Sequence, residues 1–398
     1  MIEKINQKLI YIMCIVFSLT VTNLRNNPVI DGIIIGVCAF TTLISIIYFR
    51  KWNIKKYVKE NWLIVIYLII RVISIILLNN KLDNIKTFLY EIYFLIIVQQ
   101  FYNNDKANSN TPITILIIIN FIFNFVTFIC FIFQIYNYET IIYSNTNQMA
   151  SMSCICLLLY LTFLKKTKKK ILSIAYIIFS LIILVIADSR TPILMILAYI
   201  LMNLITKFKL LSENALKRTF MILLNAFIIV VIIFSIVNKK NQVPSKLETF
   251  MYEITTARYY LWKYSIISLE ESPLTGIETS EIGDKRFKNL PVTMYEYITP
   301  SRMTFMHLNN NHNGFIQLLV SDGYIIYIIF MLWLYKNVMK LEMEKFYIVS
   351  SILILNLFEN LFILAPSIQV FLLFYYMTTK KEIRDDSNTI MIKGVENV

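Results

Sequence analysis

Two arginines and a histidine, Arg190, Arg258 and His312, are the side chains best suited to chemistry in a 398-residue chain that holds only two histidines. An imidazole can move a proton near neutral pH, and a guanidinium donates paired hydrogen bonds to phosphate. Arg190 stands in "ADSRTP" at 187–192, a tight turn between two apolar runs. It reads either as an arginine snorkelling at an interface or as a fixed cation for an anionic lipid-linked substrate. Arg258 opens "RYYLWKYSI", where helical spacing sets Arg258, Leu261, Trp262 and Ser265 on one side. That helix either lies on a bilayer with its aromatics as anchors or acts as a lid with Arg258 over a cavity. His312 sits in "NNNHNGFIQLLVSDGYIIYIIF" at 309–330, at the start of a long apolar run. It reads as a hydrogen-bonded interface residue or as a general base, with Gly314 leaving room for something to approach the backbone. No carboxylate stands at ligand spacing from His312 and His307, so no metal site is expected.

The elements that must position these residues are membrane helices. The chain is 57% hydrophobic and 16% charged, with a mean hydropathy of +0.63, against about 25% charged residues in soluble domains. Apolar runs long enough to cross a bilayer recur throughout. Twelve spans are expected, near 8–23, 29–49, 62–79, 87–102, 112–136, 148–164, 171–187, 191–206, 219–237, 313–335, 345–363 and 365–379. The net charge of +13 collects in short connections such as "RKWNIKKYVKEN" and "KKTKKK". That placement is topogenic and lipid-facing, and it argues against nucleic acid. With twelve spans every lysine-rich connection falls on one side, which puts both termini in the cytoplasm and the N-terminal segment as a retained first span. The five cysteines all lie in apolar segments and are poor disulfide candidates.

The expected fold class is therefore an all-α, polytopic membrane protein with about twelve spans and one large extracytoplasmic loop containing helices. It divides into helices 1–6 (1–170), helices 7–9 (171–237), the loop (238–312), helices 10–12 (313–379) and a cytoplasmic tail (380–398). The loop contains "TARYYLWKYSIISLEESPLTG", which reads as an amphipathic helix ending at Pro273. Connections of this length usually carry function.

"SRTPILMIL", "RYYLWKYSI" with the "SPLTG" that follows, and "NHNGFIQLLVSDGYIIYIIF" resemble the three signatures of the O-antigen ligase and O-antigen polymerase family. The resemblance covers roughly residues 170–365. It departs at Ile326 and Glu278, where the family often has glycine. It implies an integral-membrane, metal-independent glycosyltransferase without cofactor. The donor would be an oligosaccharide on undecaprenyl diphosphate and the acceptor a sugar hydroxyl. Carried over by position, Arg190 and Arg258 would hold the diphosphate and His312 would be the general base. Asn311, Asn313 and Trp262 would be substrate-side neighbours.

Other polar residues fall inside spans. Arg71 is costly mid-span and reads either as a structural partner of Glu91 or as a second phosphate or cavity residue. Asp322, near 15 Å along its span at 1.5 Å per residue, reads as structural or cavity-lining. Glu359, about two-thirds across the eleventh span, could set Arg190 or Arg258. Asn120 and Asn124 suggest helix-to-helix hydrogen bonds. The leading expectation is a polysaccharide polymerase acting extracytoplasmically in a bacterial cell membrane. Its partners would be lipid-linked oligosaccharide and membrane lipids, with a chain-length regulator and a flippase alongside. The rivals are an O-antigen-type ligase and a transporter of lipid-linked sugars. Transporters usually show inverted repeats, and none is visible.

Overall fold

The computed structural model describes residues 62–77, 110–135, 145–164, 170–239, 243–255, 258–296 and 311–359, with isolated positions elsewhere. Among the described residues the fold is helical, and the one β contact is an isolated bridge between Thr22 and Tyr143. The helices are α1 (Trp62–Leu77), α2 (Asn110–Ile132), α3 (Thr146–Leu159, continued as a π-helical turn to Leu164), α4 (Lys170–Ile186), α5 (Arg190–Lys207) and α6 (Glu213–Val237). After them come α7 (Lys246–Ile254), α8 (Arg258–Ser268), α9 (Ile282–Lys288), α10 (Gly314–Val338) and α11 (Met343–Phe358). These coincide with eight of the twelve expected spans plus three short helices between α6 and α10. The expected spans at 8–23, 29–49, 87–102 and 365–379 lie outside the described stretches, apart from isolated positions.

Five segments, Ile113–Ile132, Thr146–Phe163, Arg190–Lys207, Glu213–Val237 and Gly314–Val338, are long and apolar enough to cross a membrane. Their outer surfaces fit that reading: Ile129, Leu197, Leu223 and Ile233 are exposed, whereas polar side chains turn inward. Asn120, Asn124, Tyr143 and Ser153 close a buried network, with the Tyr143 hydroxyl 2.7 Å from Asn124 Oδ1 and Ser153 Oγ 3.0 Å from it. The two asparagines thus bond across helices as expected. Cys130, Cys154 and Cys156 are free thiols.

The direction of each helix follows from side-chain pairs. Phe220 meets Phe346 and Phe227 meets Phe358, so α6 and α11 run parallel. A short turn joins α5 to α6, which makes α5 antiparallel to α11, and the two pack together. The Gly314 N–H donates to the Glu359 carbonyl at 3.1 Å, so α10 starts where α11 ends. Arg190, His312 and Glu359 therefore share one end of the bundle.

α10 is broken at Gly323, whose φ of 79° and ψ of 175° are not helical. A break in an apolar layer frees backbone groups that need partners. Here the chain after α8 supplies them. The Ile277 N–H donates to the Val320 carbonyl at 2.8 Å, and the Tyr324 N–H donates to the Pro273 carbonyl at 2.9 Å. The approach is close enough to need two glycines. A Cβ on Gly323 would lie 2.4 Å from the Leu274 carbonyl oxygen, and one on Gly276 (φ 82°) would lie 2.3 Å from that of Ser321. "SPLTG" and "SDG" are thus two halves of one joint. Beside it Arg71 of α1 donates to Asp322 at 2.6 Å and to the Tyr67 hydroxyl at 3.0 Å.

This corrects two expectations. Arg71 is 3% exposed and paired with Asp322, so it braces the break and does not present itself to a phosphate. Its expected partner Glu91 lies outside the described residues. The helix read as amphipathic up to Pro273 ends at Ser268, followed by a 3-10 turn, and Tyr259 to Ser268 are all buried. A helix buried on every face is not one lying on a bilayer.

Gly323→Ala should lower stability by roughly 1–3 kcal/mol through the strained φ alone, with steric cost added. Thermal unfolding in detergent checks this. Gly36→Ala, whose Cβ meets nothing within 4 Å, should unfold like wild type.

Candidate functional site

The site lies where α10 begins and α11 ends. Asn313 caps α10, and its Oδ1 accepts from the N–H groups of Phe315 and Ile316 at 3.0 and 3.1 Å. Asn311 is fixed more completely. Its N–H donates to Gln317 Oε1 at 2.9 Å, and its carbonyl accepts from Trp262 Nε1 at 2.8 Å. Its Oδ1 accepts from Ser265 Oγ at 2.6 Å and from Arg286 Nη2 at 2.5 Å. Between these clamped neighbours His312 takes φ 49°, in the left-handed region where histidine is among the commoner non-glycine residues. The backbone on both sides over-determines a conformation that costs about 1–3 kcal/mol elsewhere.

Glu359 completes the arrangement. α11 stops at Phe358, so Glu359 lies at the helix terminus and not within the span. Its Oε1 is 3.1 Å from Arg258 Nη2, and its Oε2 is 3.8 Å from His312 Nδ1. Arg258 Nη1 also donates to the Phe358 carbonyl. One carboxylate therefore touches the start of α8 and faces the residue that precedes α10. The three side chains are 12–21% exposed, dry enough for charge to matter and open enough for a ligand. Arg258 uses two of its five N–H donors here and keeps the rest.

The remaining expected residues divide cleanly. Arg190 begins α5 at the same end of the bundle, exposed, and among the described residues it has no hydrogen-bond or ion-pair partner. Its neighbour Ser189 donates to Asn147 Oδ1 at 3.0 Å, which ties the turn to α3. Asn311, Asn313 and Trp262 are fully buried and shape the site through the contacts above, while Nδ2 of each asparagine has no hydrogen-bond partner among the described residues. Gly314 leaves room for Asn356 and for no ligand, because a Cβ there would lie 2.0 Å from Asn356 Oδ1. His307 is exposed and stacks on Phe287 at 4.0 Å. Among the described residues no group of three His, Cys, Asp or Glu could hold a metal.

Arg286 escaped the sequence reading. It stands among lysines in "GDKRFK" and looks like part of a solvated charge run. It is instead 0% exposed and donates to Ser265 Oγ at 2.8 Å, to Asn311 and to the Met306 carbonyl at 3.3 Å. Burial pushes its guanidinium down to about 9, still cationic at neutral pH. A second buried cation, Lys263, meets Glu248 at 2.6 Å, and Glu248 closes a capping box with Ser245 that fastens α7 onto α8.

Residues 175–331 match the family model described as O-antigen ligase. Over this segment the chain is similar to the O-antigen ligase family. The match takes in Arg190, Arg258 and His312 and ends before Glu359. A search of curated proteins finds no match to the chain. The family implies a glycosyl-transferring membrane enzyme that uses lipid-linked oligosaccharide, and the apolar helices agree with a membrane location.

Asn311→Ala should strip Arg286 and Ser265 of their shared acceptor and cost about 1–3 kcal/mol. Asn311→Asp, which keeps an acceptor, should recover most of it. Thermal melts of both variants, with Ser265→Ala in a double-mutant cycle, check the coupling.

Proposed function

We propose that the protein is a polysaccharide polymerase. It would join undecaprenyl-diphosphate-linked repeat units at the extracytoplasmic face, with His312 as general base and Arg190 and Arg258 on the diphosphate. The observation that carries this reading is the shared position of Arg258, His312 and Glu359 at the end of the bundle where Arg190 opens α5. Charge builds on a departing diphosphate, and preorganised guanidiniums stabilise it in a partly dry site. The acceptor hydroxyl loses its proton as it attacks, and an imidazole beside a carboxylate is suited to take it. Asn311, Asn313, Trp262 and Arg286 hold the base in place, and Arg71 with Asp322 holds the helix that carries it.

The second reading, a ligase that moves finished polysaccharide onto another acceptor, uses the same site and differs in the acceptor alone. The family description favours keeping it in view.

Purified protein given a lipid-diphosphate-linked repeat unit should lengthen it without nucleotide sugar and in the presence of a metal chelator. His312→Ala should slow elongation by about 10²–10⁴-fold while the protein stays folded, and Arg190→Ala should slow it as well. Undiminished elongation by His312→Ala sinks the base assignment. Transfer that requires a separate acceptor lipid selects the ligase, and translocation without a new bond selects a transporter.

A further inference from the structure

We propose that α7 is an interfacial helix. It lies in the plane of the membrane at the end of the bundle that holds the site, with Leu247, Phe250 and Ile254 sunk among the acyl chains of the lipids there. This surface is separate from the site, and its role does not depend on the reaction proposed above.

α7 is inverted by the standards of a helix in water. Leu247, Phe250 and Ile254 are 53, 54 and 57% exposed, whereas Glu248 is 0% exposed. With water as the only outer solvent, the carboxylate belongs outside and the three apolar side chains inside. Glu248 is held inward by Lys263 of α8 at 2.6 Å and by its capping box with Ser245. At helical spacing the side chains divide into three strips. Glu248, Tyr252 and Thr255 turn toward the protein, and Leu247, Phe250 and Ile254 form the apolar strip. Lys246, Thr249 and Glu253 are exposed and form a polar strip that runs beside it. A helix with protein, hydrocarbon and water along its whole length lies along the border where the three meet. One that ran with the spans would cross that border and would not keep both outer strips from end to end.

The neighbouring helices say what covers the apolar strip. Phe227 and Phe234 of α6 meet Trp262 and Tyr259, which sets the first turns of α8 beside residues 227–234. α7 is fixed to those same turns, by Lys263 and by Tyr252 with Tyr260, whose ring centroids are 4.9 Å apart. α7 is therefore level with a stretch of α6 whose Ile229, Val230 and Ile233 are exposed. That face of α6 is one a span turns to lipid, and it continues through the exposed Val237 and Val243 on either side of the connection into Leu247. Lipid that covers α6 there also covers α7. Acyl chains accept the apolar strip, and headgroups and water accept Lys246, Thr249 and Glu253. The buried pair of Glu248 with Lys263 transmits this position to α8, whose first residue is Arg258. The membrane surface thus fixes the height of that guanidinium through α7 without touching it.

Photolabelling of the wild-type protein in phosphatidylglycerol vesicles tests this. One preparation carries a phospholipid with a diazirine in the upper part of an acyl chain, and the other a phospholipid with the diazirine on its headgroup. Trypsin cleaves after Lys246 and Arg258 and releases 247–258 as one peptide. The acyl probe should label Leu247, Phe250 and Ile254, along with Ile229, Val230 and Ile233 of α6, and should spare Glu248. The headgroup probe should label Thr249 and Glu253. Phe250→Glu should lower the acyl label over 247–258 several-fold and leave that on α6 unchanged, because a carboxylate draws the strip out of hydrocarbon.

Label on α6 with none over 247–258 overturns the proposal, whether water or a second copy of the chain covers the strip. Label spread evenly around the helix, Glu248 included, overturns it too, as does an unchanged acyl label in Phe250→Glu. The functional reading fails separately. Wild-type elongation by His312→Ala defeats that reading and leaves a labelled α7 in place, whereas an active protein with an unlabelled α7 defeats the interfacial helix alone.

Discussion

A carbonyl that loses its helical partner inside an apolar layer must find another, and the architecture around α10 answers that requirement. At Gly323 the helix breaks, and the Val320 carbonyl and Tyr324 N–H are satisfied by the backbone around Pro273 and Ile277. The loop that follows α8 is thereby drawn into the bundle and pinned. The Arg71 pair with Asp322 neutralises the charge left beside the break. Such buried pairs contribute little net stability, and their value is in fixing one arrangement over others. The upper segment of α10, from Gly314 to Val320, is held at both ends, and that segment follows directly on His312.

Charge placement follows the same economy. Among the described residues, three of the cations between α6 and α10 have separate tasks near the site. Lys263 joins α7 to α8 through Glu248, Arg286 holds Asn311, and Arg258 meets Glu359. Two of the three are too deep to meet a ligand. The one that keeps free donors and partial exposure is Arg258, beside the histidine. The aromatic packing of α8 on α6, through Phe227 with Trp262 and Phe234 with Tyr259, keeps Arg258 at that level.

Much of this was legible in the sequence. Long apolar runs gave eight of the helices described between residues 62 and 359, with ends within about six positions, because hydropathy is a local property. Arg190, Arg258 and His312 stood out as the residues an apolar chain has least reason to keep. What local spacing does not carry is partnership across distant segments. Arg71 meets Asp322 251 positions away, and Arg258 meets Glu359 101 positions away. Arg286 was lost among lysines because a buried cation and a solvated one have the same letters around them. Glu359 was placed inside a span because the apolar run continues past it, while the helix itself stops at Phe358. Asn311 and Asn313 looked ligand-facing because asparagine suits sugars as well as helix caps and buried clamps; the structure gives Asn313 the cap of α10 and Asn311 the contacts to Ser265, Arg286 and Gln317.

The double attachment of the loop has a consequence for how such proteins diversify. Residues 273–277 are sewn into the break in α10, and Asn311 is sewn to its first turn, so the intervening stretch is a cassette whose two ends are clipped to the same helix. Its interior is constrained as well, since Ile282, Leu290, Met294, Ile298 and Met306 are buried in one core cluster with α8 and the first turns of α10, and Arg286 must reach Asn311. Variation is left to its exposed positions, such as Asp284, Lys288 and Val292, while the helix that follows His312 keeps both of its attachments.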